Sequence, residues 1–389
     1  MKFKGYKRAD GRVGVRNYIA VIPSVFCANK VAEKIAQNIE GAICLKHGVG
    51  CSQVGEDLEQ TARTLINLAN HPNIGGVLIV GLGCERFTPL EFYNEVKKSG
   101  KPIEKVIIQE EGDTLEAIYK GTILLKKLYD EVSYKEREEV NISELVIGLE
   151  CGGTDAFSGI AANPSIGVTS DILISHGGSA MFSEITELLG AEKILVNRCV
   201  NEKIGELLLK TIKKTERELA ISTSNPNFKK RSNLISTGNF SGGVSTVVEK
   251  ALGNIEKAGK SPINGVLKFA ETIPDKGLFL MDTPGQDGES TTGLVAGGAQ
   301  IILFTTGRGT PTGFPIAPVI KITGNPQTYQ KMKTNIDVDT SGVITAKKTL
   351  AEMGEEIFNL VLKVASGEKT KAEILGHDEL FIIPRILHY

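Results

Sequence analysis

The residues with chemistry to offer occupy one kind of position in this chain: they follow short apolar runs. Cys27 comes after YIAVIPSVF, His47 and Cys51 after AICLK, and Cys84 with Glu85 after GVLIVGLG. Gln109 follows KVII, Glu150 and Cys151 close LVIGLEC, and Asp282 ends LFLMD. If those runs are strands of parallel sheets, their polar ends lie along one edge, where groups distant in sequence converge. KHGVGC sets His47 and Cys51 on one glycine-rich turn, GLGCE puts Cys84 beside Glu85, and ECGG puts Cys151 beside Glu150. Three sulfur donors, an imidazole and two carboxylates suit iron or zinc. No CxxC pair occurs, which excludes a zinc ribbon. Free cysteines at strand ends also serve as small buried apolar groups, and spacing leaves both readings open.

A second group lies in MDTPGQDGESTTGLVAGGAQIILFTTGRG. An apolar strand leads into a polar, glycine-rich loop, and the next strand ends in Thr305, Thr306, Gly307 and Arg308. Hydroxyl and backbone donors beside an arginine hold carboxylate or phosphate oxygens. Neither a Walker loop nor a complete GxGxxG follows any strand, so no nucleotide cofactor is expected. His71, His176, His377 and His388 carry less weight than His47, since a helix stop, a lone strand end and a tail explain them.

The elements that must position these groups alternate from the start. Candidate strands Tyr18 to Ile22, Gly41 to Leu45, Gly76 to Val80 and Lys105 to Ile108 each precede a helical pattern, the signature of βαβ units. GEDLEQTARTLINLA, Gly55 to Ala69, has acidic residues in its first turn and His71-Pro72 just past its end, as a helix should. The charged stretch from Lys126 to Glu144 lacks glycine-rich strand ends and marks a domain boundary. Alternation then resumes with strands expected at Leu145 to Leu149, Asp171 to Ser175, Lys193 to Asn197, Leu278 to Asp282, Gln300 to Thr305 and Val319 to Thr323. The expected fold is α/β: two doubly wound domains with mostly parallel sheets, residues 1–135 and 136–389. The first is a candidate for dimerisation and the second Rossmann-like. A length of 389 residues agrees with two cores.

Forty-five basic and 46 acidic side chains leave a net charge of -1 without long runs of either sign. Neither nucleic acid nor a membrane is an expected partner. MKFKGYKRADGRVGVRN lacks the features of a signal peptide, and six scattered cysteines suit a reducing compartment, so a cytoplasmic location is expected.

With these residues in place, the chain resembles the altronate and galactarate dehydratase family, which also includes the large subunit of sulfolactate sulfo-lyase. The matching blocks are GYKRADGRVGVRNY, HGVGC, HPNIGGVLIVGLGCE, ECGGTDAFSGIAANPSIG, EKALGNIEKAGKSPINGVL, MDTPG with TGLVAGGA, FTTGRG and FNLVLKVASGEKTK, in one order over nearly the whole chain. The resemblance implies dehydration of a sugar acid to a 2-keto-3-deoxy acid, and dependence on Fe2+ or a similar divalent metal such as Mn2+. It also implies a homo-oligomer that works with a small β-clip subunit, because the β-clip domain preceding GYKRADGR in one-chain members is expected on a separate chain here. Where the family carries Asn-Pro-Ser-Pro-Gly-Asn, this chain reads LISTGNFSGG and lacks both prolines. That departure leaves the substrate open.

The chemistry implied begins with proton loss beside a carboxylate, which needs the enolate charge stabilised and the leaving hydroxyl protonated. The metal is assigned to Cys51, Cys84 and Cys151, with His47 as a further ligand or as the base. Glu85 and Glu150 compete as bases, and an iron-sulfur cluster on the three thiolates is the alternative. Arg16 and Arg308 are assigned to the substrate carboxylate. Asn17, Gly152, Gly153, Asp155, Thr305 and Thr306 complete the substrate site. Sulfite elimination from sulfolactate and non-catalytic binding of a sugar acid are the rival functions.

Overall fold

The structure is a computed structural model and describes residues 1–221 and 235–386. Its strands are β1 (Lys2–Lys7), β2 (Val13–Gly14), β3 (Tyr18–Pro23), β4 (Ala42–Cys44), β5 (Ile74–Gly81), β6 (Ile103–Ile107) and β7 (Glu138–Asn141). Then follow β8 (Val146–Gly152), β9 (Ser179–Phe182), β10 (Ile263–Leu267), β11 (Gly277–Met281), β12 (Ile301–Thr306), β13 (Val319–Thr323) and β14 (Val338–Asp339).

Two parallel sheets carry the fold, one in the order β4-β3-β5-β6 and the other β10-β11-β9-β8-β12-β13-β14. All eight residues of β5 and all seven of β8 are buried, as strands covered on both faces must be. In the smaller sheet, helices Asn29–Ala36 and Thr114–Val132 seal one face through Val31, Ile35, Leu125 and Leu128. Helices Gly55–Ala69 and Pro89–Lys97 seal the other with Leu65, Leu68 and Phe92. The larger sheet is sealed by Ile166, Leu173, Ile357 and Val361 of helices Asn163–Ser175 and Leu350–Ala365. Its opposite face receives helix Asp287–Ala296. The expected α/β class with mostly parallel sheets is therefore observed.

Three departures have physical causes. Asp171 to Ser175 is the last turn of helix Asn163–Ser175, and Lys193 to Asn197 overlaps helix Glu192–Val196. The first is apolar on several sides, so its ILIS run reads as a strand although Pro164 sits in the first helical turn. The strand it displaces is the four-residue β9, placed just after Gly177 and Gly178. The charged stretch after Lys126 holds the end of helix Thr114–Val132 and then β7, which pairs antiparallel with β1. The chain's start thus packs with residues beyond 135. No helix among the described residues is long and apolar enough to cross a membrane.

The two sheets share one apolar cluster. Leu65, Leu68 and Ile79 of the first domain pack in it with Met281, Leu294 and Phe304 of the second. Buried polar groups fix the joint. Asn73 Nδ2 donates to Gln300 O and Ile316 O at 3.0 and 2.9 Å, and the Gln300 side chain donates to Val13 O. His71 lies across it too, with Nε2 3.1 Å from Ala299 O and Nδ1 accepting from Asn73 N–H at 3.1 Å. Burial, aided by Lys101 and Arg12, holds the His71 pKa well below the ordinary imidazole value. The unfolded chain therefore binds this proton more readily, and the stability it contributes is complete above about pH 6.5 and lost as pH falls. Melting temperature should drop between pH 7 and 5, with a shallower slope for His71→Gln; equal slopes would contradict the assignment.

Candidate functional site

In the larger sheet the chain runs from β8 outward through β9 and then returns to β12 on the other side. This is a topological switch point, and the C-terminal ends of β8 and β12 flank the crevice that such sheets use for ligands. A cavity of about 610 Å³ opens there. Cys151 and Gly153 enter it from the end of β8, Glu187 from beyond β9, and Gln286, Asp287 and Gly288 from the start of helix Asp287–Ala296. Thr312 comes from beyond β12, Lys250 from helix Val247–Ile255, and Ser236 and Asn239 from the LISTGN segment. Glu379, Leu380 and Ile382 of the C-terminal tail close one wall.

Two glycines of ECGG have geometric reasons. A Cβ on Gly152 would lie 2.5 Å from Asp287 Oδ2 and 2.7 Å from the Phe304 ring. Gly153 has a φ of 59°, in the left-handed region that favours glycine. Asp287 therefore reaches the end of β8 only because residue 152 has no side chain. Burial and the nearby Glu187 raise the Asp287 pKa.

Beneath the cavity lies a cluster of buried charge. Lys257 and Glu184 are fully buried and paired. Burial alone would discharge Lys257, but Glu184 and Glu150 outweigh it and raise its pKa. Lys250 pairs with Glu187 at 2.6 Å. Glu150 Oε2 accepts from Ser290 Oγ at 2.7 Å and from Ser183 Oγ at 3.4 Å. Burial pushes the Glu150 pKa up to about 8 despite Lys257, so this carboxyl carries a proton at neutral pH. One oxygen each of Glu150, Glu184 and Glu187 is buried without a hydrogen-bond partner.

The other expected site residues separate clearly. His47 is committed to its own loop: Nε2 lies 2.7 Å from Pro23 O and Nδ1 accepts from Val49 N–H at 3.4 Å. Burial lowers its pKa to about 4, and neither nitrogen is free for a metal or a substrate proton. Glu85 accepts from Ser24 Oγ and from the N–H groups of Leu82 and Gly83, which caps its own turn. Cys51 and Cys84 are exposed on loops of the smaller sheet, whereas Cys151 is buried in β8. Among the described residues no three His, Cys, Asp or Glu side chains gather as a metal-ligand set. The expected three-cysteine centre is not assembled, because its members belong to different sheets.

Arg16 is structural. Its guanidinium binds Glu373 through two N–H groups at 2.7 and 2.9 Å, and donates to Val364 O and Glu368 O. Asn17 accepts from Arg8 and donates to Val132 O. Asp155 accepts from Ser158 N–H and Asn325 Nδ2, while Thr305 Oγ1 donates to Asn163 Oδ1 at 2.6 Å and Thr306 Oγ1 accepts from Gly309 N–H. These three shape the wall rather than face a ligand. Arg308 is exposed, with its Cβ and Cγ next to Gly153 of the cavity lining, and its guanidinium donates to Ser241 Oγ at 3.1 Å. Glu187, Lys250, Asp287, Glu184 and Lys257 were not singled out from the sequence, although Lys250 and Lys257 lie in EKALGNIEKAGKSPINGVL and Asp287 in the loop after MDTPG. The detectable signal was a charge inside an apolar segment, as in AMFSEITELL.

Breaking the buried Arg16–Glu373 pair leaves an uncompensated carboxylate, so Arg16→Met should cost about 3–5 kcal/mol in chemical denaturation. The folded variant should keep its substrate KM. A raised KM with intact stability would restore Arg16 to the binding site.

Comparison with known proteins agrees with the expected resemblance. Residues 142–387 match the family model "D-galactarate/Altronate dehydratase, C-terminal", and residues 5–133 match "D-galactarate dehydratase/Altronate hydrolase, second domain". Altronate dehydratase of Bacillus subtilis is 37% identical, the match covering 98% of this chain and 77% of that protein. Subunit beta of (2R)-sulfolactate sulfo-lyase from Chromohalobacter salexigens is 36% identical, covering 99% and 97%. Galactarate dehydratase (L-threo-forming) of Escherichia coli is 34% identical, covering 94% and 73%. With a switch-point cavity lined by acids and a lysine, and relatives of this kind along nearly its whole length, the chain belongs to the D-galactarate/altronate dehydratase family and is a lyase.

Proposed function

We propose that this chain eliminates water from a sugar acid to give a 2-keto-3-deoxy acid, and that it works with a separate small subunit. The observation that carries the reading is the cavity itself, which Glu187, paired with Lys250, lines together with Asp287. Glu187 spends one oxygen on Lys250 and has the other unpartnered. Glu187, whose side chain lines the cavity, takes the proton from C2, beside the substrate carboxylate. The Lys250 ammonium and the N-terminus of helix Asp287–Ala296 stabilise the charge that then develops on the carboxylate. Arg308 holds an anionic group at the rim, and Asp287, its pKa raised, binds a substrate hydroxyl. Glu150 lies one layer down. Protonated and held by Ser290, it keeps the charge beneath Cys151 low.

The family resemblance implies a divalent metal, and the residues present do not fit one. Unpartnered carboxylate oxygens of Glu150, Glu184 and Glu187 are the donor type a hard cation takes, but no three candidate ligands gather among the described residues. The steps above are those of the chain's own side chains.

A second reading, elimination of sulfite from sulfolactate, is favoured by one specific match. The chain aligns with 97% of a protein named subunit beta of a sulfo-lyase, which also supports the partner subunit. The departing LISTGN segment supplies Ser236 and Asn239 to the cavity, so substrate choice rests partly on that wall. With altronate, galactarate and sulfolactate as probes, 2-keto acid and sulfite release from the enzyme with its small subunit separate the two readings. Glu187→Gln should lower kcat by about 10²- to 10⁴-fold on whichever probe is turned over. Full activity of that variant would remove Glu187 as the base.

A further inference from the structure

Buried lysines in this fold are accounted for by their partners, with one exception. Lys257 and Lys250 each pair with a carboxylate, and Lys101 Nζ donates to the carbonyls of Ala69 and His71 at the end of helix Gly55–Ala69, both at 2.8 Å. Lys321 is fully buried in the middle of β13, yet it makes no ion pair among the described residues. Its ammonium sits 3.5 Å from the centroid of the Phe304 ring, its register partner on β12, and donates to Thr312 Oγ1 at 3.2 Å. Thr312 lines the cavity, and so do Asp287 and Glu379, two of the acids that attract Lys321. A side chain with three N–H groups, one hydroxyl acceptor and no carboxylate is poorly satisfied as structure. It is well placed as a donor behind the cavity wall.

We propose that Lys321, acting through the Thr312 hydroxyl, supplies the proton that lets the substrate hydroxyl depart as water. The inference rests on the elimination proposed above. Glu187 takes the C2 proton and the C2–H electron pair becomes the C2–C3 double bond. The C3–O bond breaks with its pair on oxygen, that oxygen takes the Thr312 proton, and water leaves. Lys321 returns a proton to Thr312 Oγ1 and ends as the neutral amine. The enol product then tautomerises to the 2-keto acid, and exchange with solvent resets Glu187 and Lys321. No oxidant or reductant is needed. Thr312 is the group that meets the substrate and Lys321 is a positioning residue behind it. Burial lowers the Lys321 pKa to about 7 against the pull of Asp287 and Asp337, so both proton states are accessible at neutral pH. Hydroxide needs this help because it is a poor leaving group, whereas sulfite departs without a proton.

The test compares wild type, Lys321→Met, Thr312→Val and Thr312→Ser, each with the small subunit and each checked by circular dichroism and melting temperature. On altronate and galactarate, Lys321→Met and Thr312→Val should each lose about 10²-fold or more in kcat with KM little changed. Thr312→Ser should retain activity, and the double variant Lys321→Met with Thr312→Val should lose no more than either alone, since the two act as one relay. The alkaline fall of the wild-type pH profile should vanish from the residual activity of Lys321→Met. Full dehydration by folded Lys321→Met overturns the proposal, as does activity confined to sulfolactate and untouched by the substitution; in that case Glu187→Gln still tests the site. If wild type turns over no probe, the elimination reading fails by itself, and lysine NMR judges Lys321. Titration near pH 7 that shifts in Thr312→Val supports the relay, and titration near pH 10 overturns it.

Discussion

An ammonium group with no water around it organises the larger domain. Taking the Lys257 charge out of solvent costs several kcal/mol even after relaxation, and only carboxylates close at hand offset that. Glu184 supplies the direct partner, and Glu187 adds to the field. Meeting this demand fixes the ends of β8 and β9 against the helical segment that carries Lys257. Glu184 itself takes a left-handed backbone with a φ of 71°, an arrangement of order 1 kcal/mol in cost for a residue with a side chain. The Thr283 hydroxyl, accepting from Glu184 N–H at 2.9 Å, helps to hold it there. The same requirement leaves carboxylate oxygens without partners directly under a cavity. Those oxygens are costly to the fold.

The joint between domains serves that cavity. Because Leu68 of the first domain and Leu294 of the second lie in one apolar cluster, helix Asp287–Ala296 cannot shift its N-terminus without disturbing both cores. The tail does related work. Leu380 N–H donates to Gly313 O, Thr292 Oγ1 lies between Leu380 O and Ile382 N–H, and Ile386 N–H donates to Asp57 Oδ1. One strap thus passes along the cavity wall and ends on the first turn of helix Gly55–Ala69.

Much of the fold was legible because strands buried on both faces read as unbroken apolar runs, as in GVLIVG and LVIGLE. Legibility failed where that rule has no purchase. β9 has four residues, β10 is interrupted by Asn264 and Gly265, and the ILIS turn is apolar around most of its circumference because it is buried between neighbours. For the site, polar groups were expected along a sheet edge, and Cys151 and Gly153 line the cavity at the end of β8, with Gly152 beside Asp287. Spacing could not tell which of two edges stays open. Nor did it mark Lys321, although a lysine in VIKIT, between residues that are otherwise apolar or hydroxylated, is the kind of local contradiction that marks a working side chain.

Two sheets of one design thus end differently, and the difference decides where chemistry can occur. The smaller sheet also reverses direction, between β3 and β5, and its switch point should hold a crevice. Its own side chains take that space. His47 reaches back to Pro23 O at the end of β3, and Glu85 gathers Ser24 and the turn after β5. A Cβ on Gly50 would stand 2.7 Å from Ser24 O, so the loop itself lies against the strand end. Each of those polar groups is satisfied internally, which is what a structural element requires and what a catalyst must avoid. At the larger sheet's switch point the balance is reversed, with glycines where side chains would fill the space and acids whose oxygens face no partner. His47 and Glu85 are thus bound up in their own turns, while Glu187, Lys250 and Asp287 border the open cavity.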